Sequence, residues 1–249
     1  MHDPRDDEPS REAFRAVNVV ATAALAKAAA RAGVRHFVFV SSVKAAGETS
    51  GERPLREDDL PRPQDTYGKS KEAAEQALRQ AVLDTGSGMA VTILRPPLVY
   101  GPGAGANFGA LLRLADSPWP LPLAAAKAPR SFVFVGNLVD ALIAAVERRT
   151  QGVEAYYVSD GDDVSVAQLV RQVRAALRRA PRLWPVPSGL AALGARLIGR
   201  GALAQRLFAP LQVDTSKIQR DLAWRPPFAV DEALRSTVAA YAQTRREGG

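Results

Sequence analysis

The sequence predicts an α/β protein built on a parallel sheet with helices on its faces, and three observations carry that expectation. Strand-like and helix-like stretches alternate from residue 11 to residue 159. The strand-like stretches Phe37-Val-Phe-Val40 and Val91-Thr-Ile-Leu94, and the run Ser131-Phe-Val-Phe-Val135, are apolar without alternation, as strands buried on both faces are. The helical stretches between them are long enough to act as the crossover connections that parallel strands need.

Taken in order, Ser10 reads as the N-cap of an Ala-rich helix over 11–32, which Gly33 ends in the C′ position. His36 opens the first strand as a structural residue, and a loop rich in Gly, Pro and acids fills 43–64. A second helix covers 66–84 and closes at Gly86; the strand 91–94 then runs into a Pro-Pro and Gly-rich turn. A short helix begins at Asn107, followed by the stiff segment Pro118-Trp-Pro-Leu-Pro122, a strand over 131–135, a helix over 138–149 and a strand over 154–159. The remainder predicts mostly helix, interrupted at Leu183-Trp-Pro-Val-Pro187 and Leu222-Ala-Trp-Arg-Pro-Pro227.

Composition removes several classes of function. With 249 residues, 47% hydrophobic and 24% charged, the chain has ample length for a core and the balance of a globular protein. There is no cysteine, which excludes disulfides and thiolate metal sites, and two histidines, His2 and His36, are too few for a histidine-based zinc site. The net charge of +7 comes largely from arginines scattered along helices, such as Arg171, Arg174, Arg178 and Arg179, without a basic cluster interleaved with aromatics. That pattern argues against nucleic acid and suits an acidic small molecule. The first ten residues are acidic and turn-forming rather than a signal peptide, and no apolar run is of spanning length; residues 188–210 read as packing within the smaller region, and the expected location is cytoplasmic.

The chemistry centres on Tyr67 and Lys71. Four positions apart on the second predicted helix, they share a face one turn apart. A nearby ammonium favours the ionised form of a phenol, and the preceding strand ends in Ser41-Ser42, where a hydroxyl can orient a substrate oxygen toward that phenol. Such a group moves protons to and from an alcohol or ketone. The glycine fingerprint of a dinucleotide-binding turn is missing: Gly101-Pro-Gly-Ala-Gly-Ala106 approaches it, but no strand and ribose-binding acid follow, and Pro102 lacks a backbone donor. That segment reads as a substrate-side loop.

Together, Val40-Ser-Ser42 with Gly47, Tyr67-Gly-Lys-Ser-Lys71, Leu94-Arg-Pro-Pro-Leu-Val-Tyr-Gly-Pro102, Arg130-Ser-Phe-Val-Phe-Val135, Val213-Asp-Thr-Ser-Lys217 and Trp224-Arg-Pro226 resemble the extended short-chain dehydrogenase/reductases. Within these the chain looks like the NAD-dependent epimerase/dehydratase group, on the side of UDP-glucose 4-epimerases and related nucleotide-sugar enzymes. The resemblance runs from about residue 10 to residue 243. It implies part of a Rossmann-type sheet over 1–102 and 131–160, with a smaller, mostly helical substrate-binding region over 103–130 and 161–249. The glycine-rich part would lie ahead of Met1, the chain being a shortened form that binds NAD poorly and is unstable alone.

By the same resemblance, Tyr67 would be the acid/base and Lys71 would hold the nicotinamide ribose and lower the Tyr67 pKa. Ser42 would orient the sugar hydroxyl with Ser41 beside it, and Asn18 would sit near the cofactor. Pro97 and Val99 would meet the nicotinamide. Asn107 and Arg130 would hold the nucleotide and its phosphates, with Arg206 the candidate for a second phosphate-gripping arginine. The implied activity is NAD-dependent 4-epimerisation of a nucleotide sugar through a transient 4-keto sugar, without a metal and with a homodimer as a family habit. The rivals are a 4-keto-sugar reductase using the same residues and a non-catalytic remnant. Two departures from the family pattern stand out, Ala45-Ala-Gly47 after the serines and Asn137 where an aspartate is common.

Overall fold

The computed structural model describes residues 7–148, 150–186 and 207–247. Helix α1 (Glu8–Phe14) starts at Asp7, whose side chain accepts the Ser10 N–H at 3.0 Å, so Asp7 rather than Ser10 is the cap. A π-helical stretch, Arg15–Ala21, follows before the chain resumes as α2 (Thr22–Arg31). The whole of Glu8–Arg31 is long and apolar enough to cross a bilayer by length and composition alone, which a reading run by run does not reveal. In the fold it lies along α3 (Thr66–Thr85), joined to it by Lys27–Asp84 at 2.8 Å and Asn18–Ser70 at 2.9 Å.

The central sheet is parallel with strand order β1-β2-β6, where β1 is His36–Val40, β2 Ala90–Arg95 and β6 Val153–Tyr157. Its register pairs Val38 with Thr92 and Ile93 with Ala155. All six residues of β2 are buried, which explains its unbroken apolar run. On one face Ala26, Ala30, Leu78 and Ala81 pack onto Val91, Ile93 and Ala155. On the other, α5 (Val135–Glu147) sets Leu138, Ala141 and Ala145 against Leu94 and Tyr156. Fully burying a Leu or Ile here contributes about 1.5–3 kcal/mol each.

Two structural departures follow from where polar groups pair. β3 (Leu98–Tyr100) lies inside the segment read as a Pro-Pro turn and pairs in parallel with β5 (Phe132–Phe134), and α5 begins at Val135 immediately afterward. A second apolar cluster gathers Tyr100, Phe108, Leu112, Phe132, Leu169 and Leu234. It is formed by α4 (Ala106–Asp116), α6 (Val166–Ala176) and α8 (Val230–Glu247), with β4 (Pro129–Arg130) and β7 (Val164–Ser165) paired antiparallel at its side. The short helix α7 (Ser216–Asp221) falls in the range expected for the smaller region. Its Ile218, with the following Leu222 and Trp224, packs instead with α5 and the sheet, Trp224 Nε1 donating to Asp140 at 2.7 Å.

Candidate active site

The carboxyl end of β1 and the first turns of α3 meet because Asp65 starts α3. Its Oδ1 accepts the Gly68 N–H at 2.7 Å, while Oδ2 pairs with Lys44, which also reaches Glu48 at 3.5 Å. Hydrogen bonds from Lys44 and Gly68 outweigh burial and hold the Asp65 carboxyl below its ordinary value. Gly68 permits the close approach: a Cβ there would stand 2.5 Å from the Lys44 carbonyl oxygen. The chain leaves β1 through Ser42, whose Oγ accepts the Lys44 N–H at 3.2 Å and caps a short 3-10 turn, Val43–Ala45. Val43 N–H then donates to Pro96 O at 2.9 Å, tying this turn to the end of β2.

Ser42, Tyr67 and Lys71 share one half-buried site. The Ser42 hydroxyl lies beside the Tyr67 phenol. Lys71 Nζ lies 5.9 Å from the Tyr67 ring centroid and 4.9 Å from that of Phe39, and donates to Val40 O at 3.1 Å. Phe14 closes the other side of the tyrosine edge-on, with centroids 5.7 Å apart. The expected acidification of the phenol by Lys71 is not what the structure displays. Burial pushes the Tyr67 pKa above its ordinary value, the Ser42 hydroxyl pulls it down and the Asp65 charge adds to the rise. Lys71 itself is pushed down by burial, with the Glu75 charge opposing that shift.

The remaining candidates divide. Asn18, in the π-helical stretch, donates to Ser70 Oγ, and Ser70 donates to the Tyr67 carbonyl at 2.8 Å, so Asn18 braces α3 from the side. Ser41 turns inward: it is 3% exposed and its hydroxyl donates to Glu75 Oε1 at 2.5 Å, so its side chain serves the core and not a ligand. Pro97 is buried two residues after β2, and Val99 pairs with Val133 while packing, as Val38 does, against the α5 cluster. Arg130 lies in β4 and donates from Nη1 to Ala209 O at 2.7 Å, holding the chain near residue 209. The Asn107 side chain and Arg206 lie outside the described residues.

Sequence reasoning missed the buried layer beneath this site. Glu75, one turn beyond Lys71, receives Arg95 through Nε at 3.0 Å and Nη2 at 2.6 Å, and Arg95 lies 5.7 Å from the Tyr157 ring. The signal was available: Arg95 ends an otherwise apolar buried strand, and a buried charge requires a partner. Asn137 replaces an expected aspartate and explains itself: its amide donates to Asp160 at 2.7 Å and to Phe228 O at 3.0 Å while accepting Phe228 N–H at 2.9 Å, a pattern that a carboxylate cannot make. Among the described residues no group of His, Cys, Asp and Glu is arranged to hold a metal.

The fit to a nicotinamide cofactor is one-sided. The half-buried Ser42, Tyr67 and Lys71 present the hydroxyls and the ammonium suited to a ribose and a reacting alcohol. Gly101, by contrast, is a packing glycine and no phosphate cradle, since a Cβ there would stand 2.4 Å from Val135 Cγ1.

Comparison with known proteins gives the same placement. The NAD dependent epimerase/dehydratase family matches residues 2–159. A UDP-glucose 4-epimerase of Vibrio cholerae is 38% identical over 243 residues, spanning 97% of this chain and 73% of that relative. Among solved structures, the UDP-glucuronic acid 4-epimerase of Bacillus cereus in complex with NAD superposes with a TM-score of 0.76 at 19% identity, covering 96% of this chain and 70% of that one. The UDP-glucose 4-epimerase of Thermotoga maritima with UDP-glucose gives a TM-score of 0.72 at 23% identity, covering 96% of this chain and 72% of that one. Both structural likenesses establish the Rossmann-type fold. With the match over 2–159 and the Vibrio relative, they mean that this chain belongs to the NAD-dependent epimerase/dehydratase family.

Proposed function

We propose that the chain acts in the cytoplasm as a nucleotide-sugar 4-epimerase, working with NAD through a transient 4-keto sugar. The observation that carries this reading is the Ser42 hydroxyl beside the Tyr67 phenol with Lys71 Nζ 5.9 Å from the same ring, in one half-buried site. When bound, NAD supplies the acceptor and donor of hydride. Lys71 would hold its ribose hydroxyls, and Pro97 and Val99 would border its ring. Ser42 orients the hydroxyl at the sugar C4 toward Tyr67. Tyr67 takes the proton from that hydroxyl as the C–H bond breaks, and returns it to the same oxygen after the keto sugar has turned its other face. To act as the base the phenol must first lose its own proton to solvent, which burial opposes; the positive charge of a bound oxidised ring, added to that of Lys71, would favour the phenolate.

The likeness to the Vibrio UDP-glucose 4-epimerase makes UDP-glucose and UDP-galactose the first substrates to try. The test is interconversion of the two by the purified chain with NAD, followed by chromatography of the nucleotide sugars. Interconversion without net cofactor use is expected, and Tyr67→Phe should lower it by about 10²–10⁴-fold. Stoichiometric consumption of NADH with a 4-keto sugar, or a Tyr67→Phe variant of unchanged activity, overturns the reading.

A further inference from the structure

The last turns of α4 and α8 and the chain just beyond α6 meet around one carboxylate. Asp116, the last residue of α4, is gripped by Arg179 at 3.0 Å and by Arg245 of α8, with the Tyr241 hydroxyl at 3.4 Å. Arg174, in the last turn of α6, is 1% exposed, yet among the described residues it meets no carboxylate. Its guanidinium donates instead to backbone carbonyls of two segments. Nε reaches Ala115 at 3.0 Å, and Nη2 reaches Ser117 and Trp119 at 2.7 Å each. Nη1 reaches Ala180 at 3.1 Å and Arg182 at 3.3 Å.

The two segments are thereby fixed side by side, and they pair through their own backbones as well. Leu121 N–H donates to Arg182 O at 3.1 Å, Trp184 N–H to Leu121 O at 2.8 Å and Ala124 N–H to Trp184 O at 3.3 Å. What this support holds out is apolar: Trp119 is 74% exposed and Trp184 60%, whereas the third tryptophan, Trp224, is buried. The charge around the pair has one sign. Residues 113–124, 174–186 and 241–245 hold six arginines and a single acid, the buried Asp116. Arg113, Arg178, Arg179 and Arg182 are exposed, and the Arg179 and Arg182 charges act on Arg174. In the sequence these residues stand far apart and form no basic cluster interleaved with aromatics; folding assembles one.

The geometry points to this end of the molecule as a docking face for an anionic lipid bilayer, with the two indoles entering the headgroup layer and the arginines pairing with lipid phosphates. Arginines near the end of a helix offset its dipole and need no ligand. Two indoles held in water on a rigid support do, because an indole is best placed at a boundary, its ring in an apolar phase and its N–H toward water. Charge complementarity selects the surface: a cytoplasmic leaflet carries a negative potential, and guanidinium pairs with phosphate in bidentate fashion. Nucleic acid would also supply phosphates, but the setting of the indoles is apolar. Exposed Pro118, Pro122, Pro181 and Pro185 flank them in the chain, and Leu114 is 43% exposed. The face owes nothing to the Ser42, Tyr67 and Lys71 grouping, so it is tested independently of the epimerase reading.

The test is co-sedimentation of the full chain with sucrose-loaded vesicles of mixed phosphatidylglycerol and phosphatidylcholine, and with vesicles of phosphatidylcholine alone. Binding to the anionic vesicles is expected, with a blue shift of tryptophan emission and with loss of binding as sodium chloride rises from about 0.05 to about 0.5 M. Vesicles of phosphatidylcholine alone should hold about tenfold less protein. Trp119→Ser/Trp184→Ser and Arg178→Gln/Arg182→Gln alter exposed side chains, so each should melt close to the parent, and each should bind the anionic vesicles about tenfold more weakly. A parent that stays in the supernatant, or a folded variant of either kind that binds as the parent does, overturns the proposal. So does a single-stranded oligonucleotide that shifts the emission and displaces the chain from vesicles, or self-association that buries the indoles without lipid. If the tryptophan variant does not fold, the arginine variant and the salt dependence decide alone.

Discussion

The two edges of the central sheet are treated differently. By the alternation of a parallel ladder, the Val91 N–H to Gly152 O bond turns Val153, Ala155 and Tyr157 of β6 outward. Each is met by a charged side chain: Arg79 donates to Val153 O at 3.1 Å, Lys217 to Ala155 O at 3.1 Å, and Glu57 accepts Tyr157 N–H at 2.9 Å. Side chains have closed that edge to further pairing. On β1 the Ser41 N–H to Leu94 O bond turns His36, Val38 and Val40 outward. Lys71 takes the Val40 carbonyl, but among the described residues the Val38 N–H and C=O meet no hydrogen-bonding partner. Trp224 covers one flank of α5, whereas on the flank away from it Val139, Ile143 and Val146 are 48%, 52% and 63% exposed. One edge is thus closed by charged side chains, while the other runs into the Ser42, Tyr67 and Lys71 grouping and is left apolar.

The strongest way to break that contrast is to remove the cation that serves the β1 edge. Lys71→Met should lower turnover by about 10²–10⁴-fold, with a melting temperature within a few degrees of the parent; retained turnover would make Lys71 another structural plug. Gly68→Ala comes next. Its methyl must displace the Lys44 carbonyl, for an overpacking cost of about 1–3 kcal/mol in chemical denaturation, accompanied by a shift of Tyr67 from Ser42 and reduced turnover.

On the β6 side the effect should be on stability alone. Glu57→Leu deletes the acceptor of Tyr157 N–H and should cost about 1–3 kcal/mol. Glu57→Gln keeps an acceptor and separates charge from hydrogen bonding. Burial lifts the Glu57 carboxyl above its ordinary value, so in the parent its contribution is present at acid pH and is lost as pH rises through the lifted value. Denaturation midpoints should therefore move in favour of Glu57→Gln across that window, and a parent that gains stability there relative to the variant would contradict the assignment. The smallest effect is expected from Ile143→Lys, which leaves turnover and melting unchanged and reduces any concentration-dependent self-association seen by sedimentation.

Much of this was legible from local signals. The expected helix over 66–84 closing at Gly86 is α3, because a left-handed glycine at φ +55° ends a helix within one turn, while its cap at Asp65 emerged only in the structure. The Ser42, Tyr67 and Lys71 grouping was legible for the same reason, since two members share a helix and the third ends a strand. The π-helical stretch at Arg15–Ala21 was not, because an Ala-rich sequence carries no mark of the extra residue, and what fixes it is packing against α3. Nor was β3, whose three residues follow two prolines and become a strand through pairing with Phe132–Phe134. The direction of the Tyr67 shift escaped because spacing reports which groups are near and says nothing about how far they are desolvated.

The adjacent serines give the sheet a phase. Successive residues of an extended strand face opposite ways, so one hydroxyl serves the interior and the next serves the cleft. Inserting a single residue within His36–Val40 would move Ser41 into the place of Ser42, and deleting one would put Ser42 in the buried place of Ser41 and Val43 where Ser42 now stands. A change of one residue along this strand would therefore be felt at the site as a change of face.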